Sequence, residues 1–177
     1  MGSTTASTPK YAIAENERRC LVESTGDVDL TGINPVLIHD RYITDSHLRL
    51  RCVTDHTGDK TYKLCKKYPT PDSYTGAIVN IYLSAAEYAL FEGMPGHTLT
   101  KKRYRLRVDG EDFGLNVFDG NLAGLVLCEA EKPSREEIVA LRFPGWATKD
   151  VTEDVFFTGG HLARVTRGEL EEKLAGL

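Results

Sequence analysis

Polar and apolar residues alternate along much of this chain of 177 residues, which is the pattern of half-buried β-strands. Short segments rich in Gly, Pro, Asp and Asn separate these stretches and favour turns. The predicted strands span Tyr11 to Val22, Val36 to Thr44, Leu48 to Thr54, Lys60 to Lys66, Ala77 to Leu83, Lys101 to Val108, Phe113 to Phe118 and Ala123 to Glu131.

Helices are predicted only at the edges of this strand pattern. Ser84 and Glu87 form a capping box that begins one helix, and Thr166 and Glu169 form another that begins the last helix. A short helix is expected to begin in residues 133–137. Since most strands are joined by hairpin-type turns, the sequence predicts an α+β protein dominated by antiparallel sheet. About eight such strands can close into a barrel.

Charged residues occupy alternate positions in four of the predicted strands, so each set shares one face of its strand. Acidic pairs lie on the first and last strands, and basic pairs lie between them. This separation by sign suits a site for a metal ion and a polyanion. The sets are Glu15, Glu17 and Arg19; Arg49 and Arg51; Arg103, Arg105 and Arg107; and Glu129 and Glu131.

Composition narrows the function classes. With 41% hydrophobic and 27% charged residues the chain is typical of a soluble globular protein. Its net charge of -4 argues against general affinity for nucleic acid, so any polyanion site is expected to be local. No apolar run approaches the roughly 18 residues of a membrane span, so no membrane partner is expected.

The chain is expected to form a single domain over residues 11–177. Residues 1–10 are rich in Ser and Thr without an apolar stretch, which predicts a flexible leader and no secretory signal. The four cysteines show no metal-ligand spacing and are interpreted as small buried hydrophobes kept reduced in the cytoplasm.

The motifs, taken in order, resemble the CYTH family, also called triphosphate tunnel metalloenzymes. Members have a Glu-x-Glu-x-Lys strand, an Arg-x-Arg strand, a strand that ends in lysine, a Lys-x-Arg-Tyr strand and a Gly-Leu segment that leads to Glu-x-Glu. The similar segments here are residues 15–22, residues 48–51, the strand ending near Lys66, residues 101–105 and residues 118–131, followed by residues 146–163. The similarity covers about Tyr11 to Ala163, nearly the whole domain.

This resemblance implies an eight-stranded antiparallel tunnel and hydrolysis or cyclisation of a small-molecule triphosphate with a divalent metal. It implies that Mg2+ or Mn2+ is held by Glu15, Glu17, Glu129 and Glu131, which together with Arg19 form the expected catalytic set. Guanidinium groups bind phosphate oxygens bidentately, and both metals prefer oxygen ligands. The expected phosphate-binding residues are Arg19, Arg49, Arg51, Lys66, Lys101, Arg103 and Arg105.

Three positions depart from the family pattern. Arg19 stands where the family usually has lysine, the strand at residues 76–81 lacks glutamates, and Gly114-Leu115-Asn116 replaces a Glu-x-Asp motif. Acidic groups that could hold a second ion or a water are therefore missing. The lysine register of the fourth strand is also open, because strict alternation equally allows Lys63 and Lys67.

Two hypotheses from different classes follow, with a third as a further alternative. The first is a metal-dependent triphosphatase acting on inorganic triphosphate or a related triphosphate. The second is a catalytically weakened module that binds a nucleotide or polyphosphate, which the loss of acidic positions favours. An adenylyl cyclase is the third, since the family includes such enzymes. The sequence leaves the oligomeric state open, with a homodimer as one option.

Overall fold

Strands dominate the chain, as the alternation predicts. The computed structural model describes residues 9–68 and 70–177, so most of the predicted leader lies outside the described residues. The strands are β1 (Ile13–Val22), β2 (Val36–Ile43), β3 (Leu48–Thr54), β4 (Lys60–Tyr68), β5 (Thr75–Leu83), β6 (Gly96–Val108), β7 (Glu111–Phe118), β8 (Val126–Lys132) and β9 (Ala147–Asp150). The helices are α1 (Ala85–Glu92), α2 (Arg135–Ala140), α3 (Gly159–Leu162) and α4 (Arg167–Ala175).

Eight of these strands close into an antiparallel barrel in the order β1-β5-β4-β3-β2-β6-β7-β8. Closure occurs at β1, which pairs with β8 along one edge and with β5 along the other. Glu17 lies opposite Glu131 of β8, and Glu15 lies opposite Gly76 of β5. The short strand β9 continues the second edge of β1, where Cys20 lies opposite Asp150. The predicted eight-stranded tunnel is therefore confirmed.

Three elements differ from the sequence prediction. Strand β6 begins at Gly96 and not at Lys101, because its first residues pair with the end of β2, as in His97 opposite Tyr42. Strand β9 and helix α3, each of four residues, were not predicted, since elements this short carry too few residues to show a period. Both predicted capping boxes are present, at the starts of α1 and α4.

One end of the barrel is filled by apolar side chains. Leu21 and Leu127 lie opposite each other on β1 and β8, one inward-facing pair beyond Arg19 and Glu129. These leucines belong to a buried cluster with Leu99, Phe118, Phe157, Leu162 and Leu170. Because Phe157 and Leu162 come from the segment that leads into α4, and Leu170 comes from α4 itself, this part of the chain covers the barrel end at which β8 begins. We call this the closed end, and the end near the β6–β7 turn the open end.

A second apolar cluster lies on the outer side of β6, β7 and β8. It includes Leu106, Leu115 and Cys128 from the strands, and Ile138 from α2 packs against them. With apolar groups on the outside and at the closed end, the rest of the barrel interior is left to polar side chains. All four cysteines are free, and three of them are buried. None of the helices in the described ranges is long and apolar enough to cross a membrane.

Candidate active site in the barrel interior

The barrel encloses a cavity of about 250 Å³ that is lined mainly by charged side chains. Six basic and four acidic residues line it, and they come from β1, β3, β4, β6 and β8. We call this space the tunnel cavity. Its charged lining residues are Glu15, Glu17, Arg19, Arg49, Arg51, Lys67, Lys101, Arg103, Glu129 and Glu131, and Tyr42 and residues 157–160 complete it.

Three carboxylates converge on one side of the cavity. Oxygen atoms of Glu15, Glu17 and Glu131 all lie within 4.8 Å of one another. Lys67 donates a hydrogen bond of 2.6 Å to Glu15, and Arg19 donates one to Glu17. Partial burial and the charges of Glu17 and Glu15 raise the pKa of Glu131. The cluster offers hard oxygen ligands on two adjacent strands, which is a donor set suited to Mg2+ or Mn2+.

Glu129 lies in the same cavity but apart from this cluster. Arg103 donates hydrogen bonds both to Glu129 and, at 2.8 Å, to Asn116 on the strand between them. Burial acts to raise the pKa of Glu129, but the positive charges of Lys101 and Arg103 prevail and lower it. The position of Glu129 on β8 places it within reach of Arg103, and its expected role as a metal ligand stays a prediction.

Asn116, at a position where the resemblance leads us to expect an acidic residue, is wholly buried. Its side-chain amide donates to the carbonyl oxygens of Gly114 and Leu127, at 3.2 and 3.4 Å, while its own oxygen accepts from Arg103. Both ends of the amide are therefore engaged within the protein. Asn116 orients Arg103 and presents no free oxygen to the cavity.

Asp40 is an interior residue that sequence reasoning missed. It is fully buried on β2 and accepts two hydrogen bonds from Arg51, at 2.6 and 2.7 Å. Arg49 lies on its other side, with Nε 3.8 Å from the same carboxylate. Burial alone would raise the pKa of Asp40, but Arg51 and Arg49 lower it to about 2. The sequence contained one signal for this site, because Asp40 is the single acidic residue on the inward face of β2, which is otherwise uncharged.

Two arginines of the cavity have N–H donors without an acceptor. The Nε atoms of Arg19 and Arg49 are buried, and neither finds an acceptor among the described residues. A buried donor without a partner costs about 1–3 kcal/mol, so such groups usually meet a ligand or water. Arg49 also directs one terminal nitrogen to the Cys65 sulfur at 3.3 Å, a weak acceptor. These guanidinium groups are placed to bind an anion in the cavity.

Two predicted phosphate ligands lie outside the tunnel cavity. Lys66 faces the outer side of β4, where its ammonium lies 5.1 Å from the centre of the Tyr68 ring. Lys67 lines the cavity instead, because the register of β4 with β3 turns odd-numbered residues inward. Arg105 shares the inward face of β6 with Arg103 but lies in an open groove beyond the cavity.

Lys101 lines the cavity as predicted and is 6% exposed. Its ammonium lies 5.2 Å from the centre of the Phe118 ring, at the border of the apolar closed end. Burial lowers the pKa of Lys101 to about 8, although Glu129 acts in the opposite direction. A bound anion would favour the charged form of this amine.

The segment 157–160 completes the cavity at the closed end and was not assigned to the site from sequence. Gly159 packs directly against Tyr42, since a Cβ atom at Gly159 would lie 2.0 Å from the tyrosine oxygen. Glycine at this position therefore allows the backbone to approach the cavity wall. Tyr42 in turn lies opposite Arg49 on the neighbouring strand.

No protein-family profile matches the chain, and no curated protein sequence matches it. Solved structures do match. The inorganic triphosphatase NE1496 is 25% identical with a TM-score of 0.58, over 86% of this chain and 96% of that one. A second structure of NE1496, described as a hypothetical protein, is 26% identical with the same TM-score, over 86% and 99% of the two chains.

A third match concerns the fold alone. A candidate adenylate cyclase from Bacillus halodurans is 16% identical with a TM-score of 0.51, over 73% of this chain and 86% of that one. The closed barrel of eight antiparallel strands matches the tunnel fold of these neighbours. This chain therefore has the fold of these neighbours, and its ordered motifs resemble those of the CYTH family.

Proposed function

We propose that this protein is a divalent-metal-dependent triphosphatase that hydrolyses inorganic triphosphate, or another triphosphate-bearing molecule, in the tunnel cavity. The observation that carries the proposal is the meeting of the Glu15, Glu17 and Glu131 cluster with six basic side chains in one cavity. The likeness to an inorganic triphosphatase over 86% of the chain supports the same reaction class.

The three clustered glutamates would hold Mg2+ or Mn2+. The ion would neutralise phosphate charge and lower the pKa of a bound water. The donor set fits such an ion, because three carboxylates meet while Lys67 and Arg19 compensate only part of their charge. Glu129 takes a different role in this proposal: it positions Arg103.

The basic residues of the cavity would hold the phosphates. Arg19 and Arg49 each have an unpartnered buried N–H, and Arg51 is oriented by Asp40. Lys67 on β4 and Lys101 on β6 add two amines to the cavity. In hydrolysis, water oxygen bonds to a terminal phosphorus atom and a bridging P–O bond breaks, giving orthophosphate and pyrophosphate. Phosphoryl transfer needs mainly positioning and charge neutralisation, which these groups supply.

The direct test is phosphate release from tripolyphosphate with Mg2+, with Mn2+ and with chelator. The Glu131→Gln variant is expected to lose at least about tenfold in kcat/KM and to require more metal, because one ligand oxygen becomes neutral. Glu136→Gln, an exposed glutamate on α2, is the control and should retain full activity. Absence of metal-dependent release by the wild-type protein, or an unchanged Glu131→Gln variant, would reject a triphosphatase.

A binding module remains the second candidate, and one observation favours it. Arg103 neutralises Glu129, and Asn116 supplies no charge, so the cavity holds fewer free carboxylates than the family motif would provide. Calorimetry with tripolyphosphate separates the two functions. Tight binding without phosphate release would favour the module, and no binding at all would remove both.

A further inference from the structure

An open groove of about 520 Å³ adjoins the tunnel cavity at the open end of the barrel. We call it the mouth groove. It shares three lining residues with the cavity, namely Arg103, Glu129 and Glu131, so the two spaces are continuous. Since the other end of the barrel is filled by the apolar cluster around Phe157, a molecule that occupies the cavity extends towards the mouth groove.

The mouth groove contains a cation without a partner. Arg105 is exposed on the inward face of β6, and its side chain forms no ion pair or hydrogen bond with any residue in the described ranges. It lies opposite Gly114 of β7, over which the Arg103 side chain passes. Arg105 is thus free to meet an anion that extends from the cavity.

The other charges of the mouth groove largely compensate one another. Arg107 forms an exposed ion pair with Asp112 at 3.1 Å, and Arg103 is bound to Glu129. Exposed ion pairs are weak, at about 0–1 kcal/mol, so Arg107 can exchange its partner for a phosphate at little cost. Glu131 belongs to the carboxylate cluster. The groove therefore offers one free arginine and a second that is loosely held.

The groove suits phosphate better than a nucleoside. Phe113, the aromatic residue that lines it, is 4% exposed and packs in the outer apolar cluster. A nucleobase would therefore find no ring face to stack on, whereas a phosphate would find guanidinium groups that bind its oxygens bidentately.

We propose that the mouth groove is a second anion subsite, which binds the fourth and later phosphates of a linear polyphosphate whose terminal phosphates lie in the tunnel cavity. This inference rests on the proposed function, because it assumes that the cavity binds a triphosphate unit. The protein then prefers chains of four or more phosphates over triphosphate. Because the closed end prevents threading, such chains are shortened from their ends, each cleavage adding one water and releasing one orthophosphate.

The test is a series of tripolyphosphate, tetrapolyphosphate and longer chains, with KM from phosphate release and affinity from calorimetry. In the wild-type protein, affinity should rise when the chain grows from three to four phosphates. Arg105→Ala should weaken binding of the longer chains about tenfold, which is the contribution of one charge-assisted contact. The affinity of the same variant for tripolyphosphate should stay within about twofold of the wild-type value. Arg142→Ala, which removes an exposed arginine away from the groove, is the matched control. It should change neither the affinity for tripolyphosphate nor the affinity for longer chains.

Two outcomes overturn the subsite while the proposed function stands. One is an equal loss for tripolyphosphate and longer chains in Arg105→Ala, and the other is no gain in affinity beyond three phosphates. An Arg105-dependent preference for ATP over tetrapolyphosphate would assign the groove to a nucleotide and also overturn the proposal. If the wild-type protein neither binds nor cleaves any of these anions, the proposed function itself fails.

Discussion

Arg103 on β6 binds Glu129 on β8 across the whole width of the intervening strand β7. Gly114 lies between them, and the Arg103 side chain passes over it. A Cβ atom at Gly114 would be in van der Waals contact with the Arg103 side chain, 3.5 Å from its Nε. Asn116 accepts a hydrogen bond from the same arginine, so Arg103 lies over β7 and binds a carboxylate of the next strand.

This relationship predicts strong coupling between the two residues. Arg103→Ala or Glu129→Ala alone leaves a largely buried charge without its partner, which should lower the free energy of unfolding by about 3 kcal/mol. The double variant should lose less than the sum of the two single losses, by about 1–3 kcal/mol. Urea denaturation of the four proteins measures this coupling. Additive losses would show that Arg103 and Glu129 are stabilised independently.

Adjacent lysines give a second prediction, because Lys67 lines the tunnel cavity and Lys66 does not. Lys67→Ala should raise the KM for tripolyphosphate about tenfold, since it removes a positive charge beside the phosphates. Lys66→Ala removes the same group from the outer face of the same strand, and its KM for tripolyphosphate should stay within about twofold of the wild-type value. Steady-state kinetics of the two variants suffice. A larger effect at Lys66 would contradict the inward orientation of Lys67.

Asp40 predicts a specific pH dependence of stability. Its pKa falls from the ordinary 3.8 to about 2 in the folded protein, because Arg51 and Arg49 outweigh the effect of burial. A lowered carboxylate pKa stabilises the folded state above the unfolded pKa, and this contribution disappears as the pH falls through the folded pKa. The contribution is about 2 kcal/mol, present above about pH 4 and lost towards pH 2.

The Asp40→Asn variant isolates this effect. At pH 7 it should be about 3 kcal/mol less stable than the wild type, since Arg51 loses its buried counter-ion. The difference should shrink between pH 4 and pH 2, where the wild-type carboxylate also becomes neutral. Denaturation at several pH values gives the comparison. A difference that stays constant down to pH 2 would mean that Asp40 carries no such ionic contribution.

Gly159 and Gly160 provide a matched pair at the closed end. A methyl group at Gly159 would lie 2.0 Å from the Tyr42 oxygen, whereas one at Gly160 would lie 3.6 Å from the nearest ring atom. Gly159→Ala should therefore cost about 1–3 kcal/mol through overpacking and lower activity by displacing Tyr42. Gly160→Ala should be tolerated. Tyr42→Phe, which removes the clashing oxygen, should recover part of the loss in Gly159→Ala, as thermal denaturation would show.

Much of the site could be predicted because strand geometry is local. Residues two apart share a face, so Glu15 with Glu17 and Arg49 with Arg51 could be grouped before any fold was known. Which face turns inward is a different matter, because it depends on hydrogen-bond register with a neighbouring strand. Lys66 was therefore predicted to bind phosphate, whereas Lys67 is the lysine that lines the cavity. A shift of one residue in register moves every side chain of a strand to the other face.

Contacts between strands that are distant in the chain were beyond sequence reasoning. Asp40 was missed because a single acidic residue on an otherwise uncharged face is a weak signal, and its pairing with Arg51 requires the β2–β3 register. The closed end also depends on such contacts, because Phe157 and Leu170 reach the barrel from the segment that follows the strands.

The sequence by itself determined the approximate number of barrel strands, their positions along the chain, the capping boxes and the sorting of acidic and basic residues onto common faces. These features follow from periodicity and turn chemistry, which act over a few residues. Only the tertiary structure decided that Arg103 binds Glu129, that Asp40 lies between Arg49 and Arg51, and that one barrel end is filled. Those outcomes depend on barrel closure, where the register between distant strands sets which side chains meet.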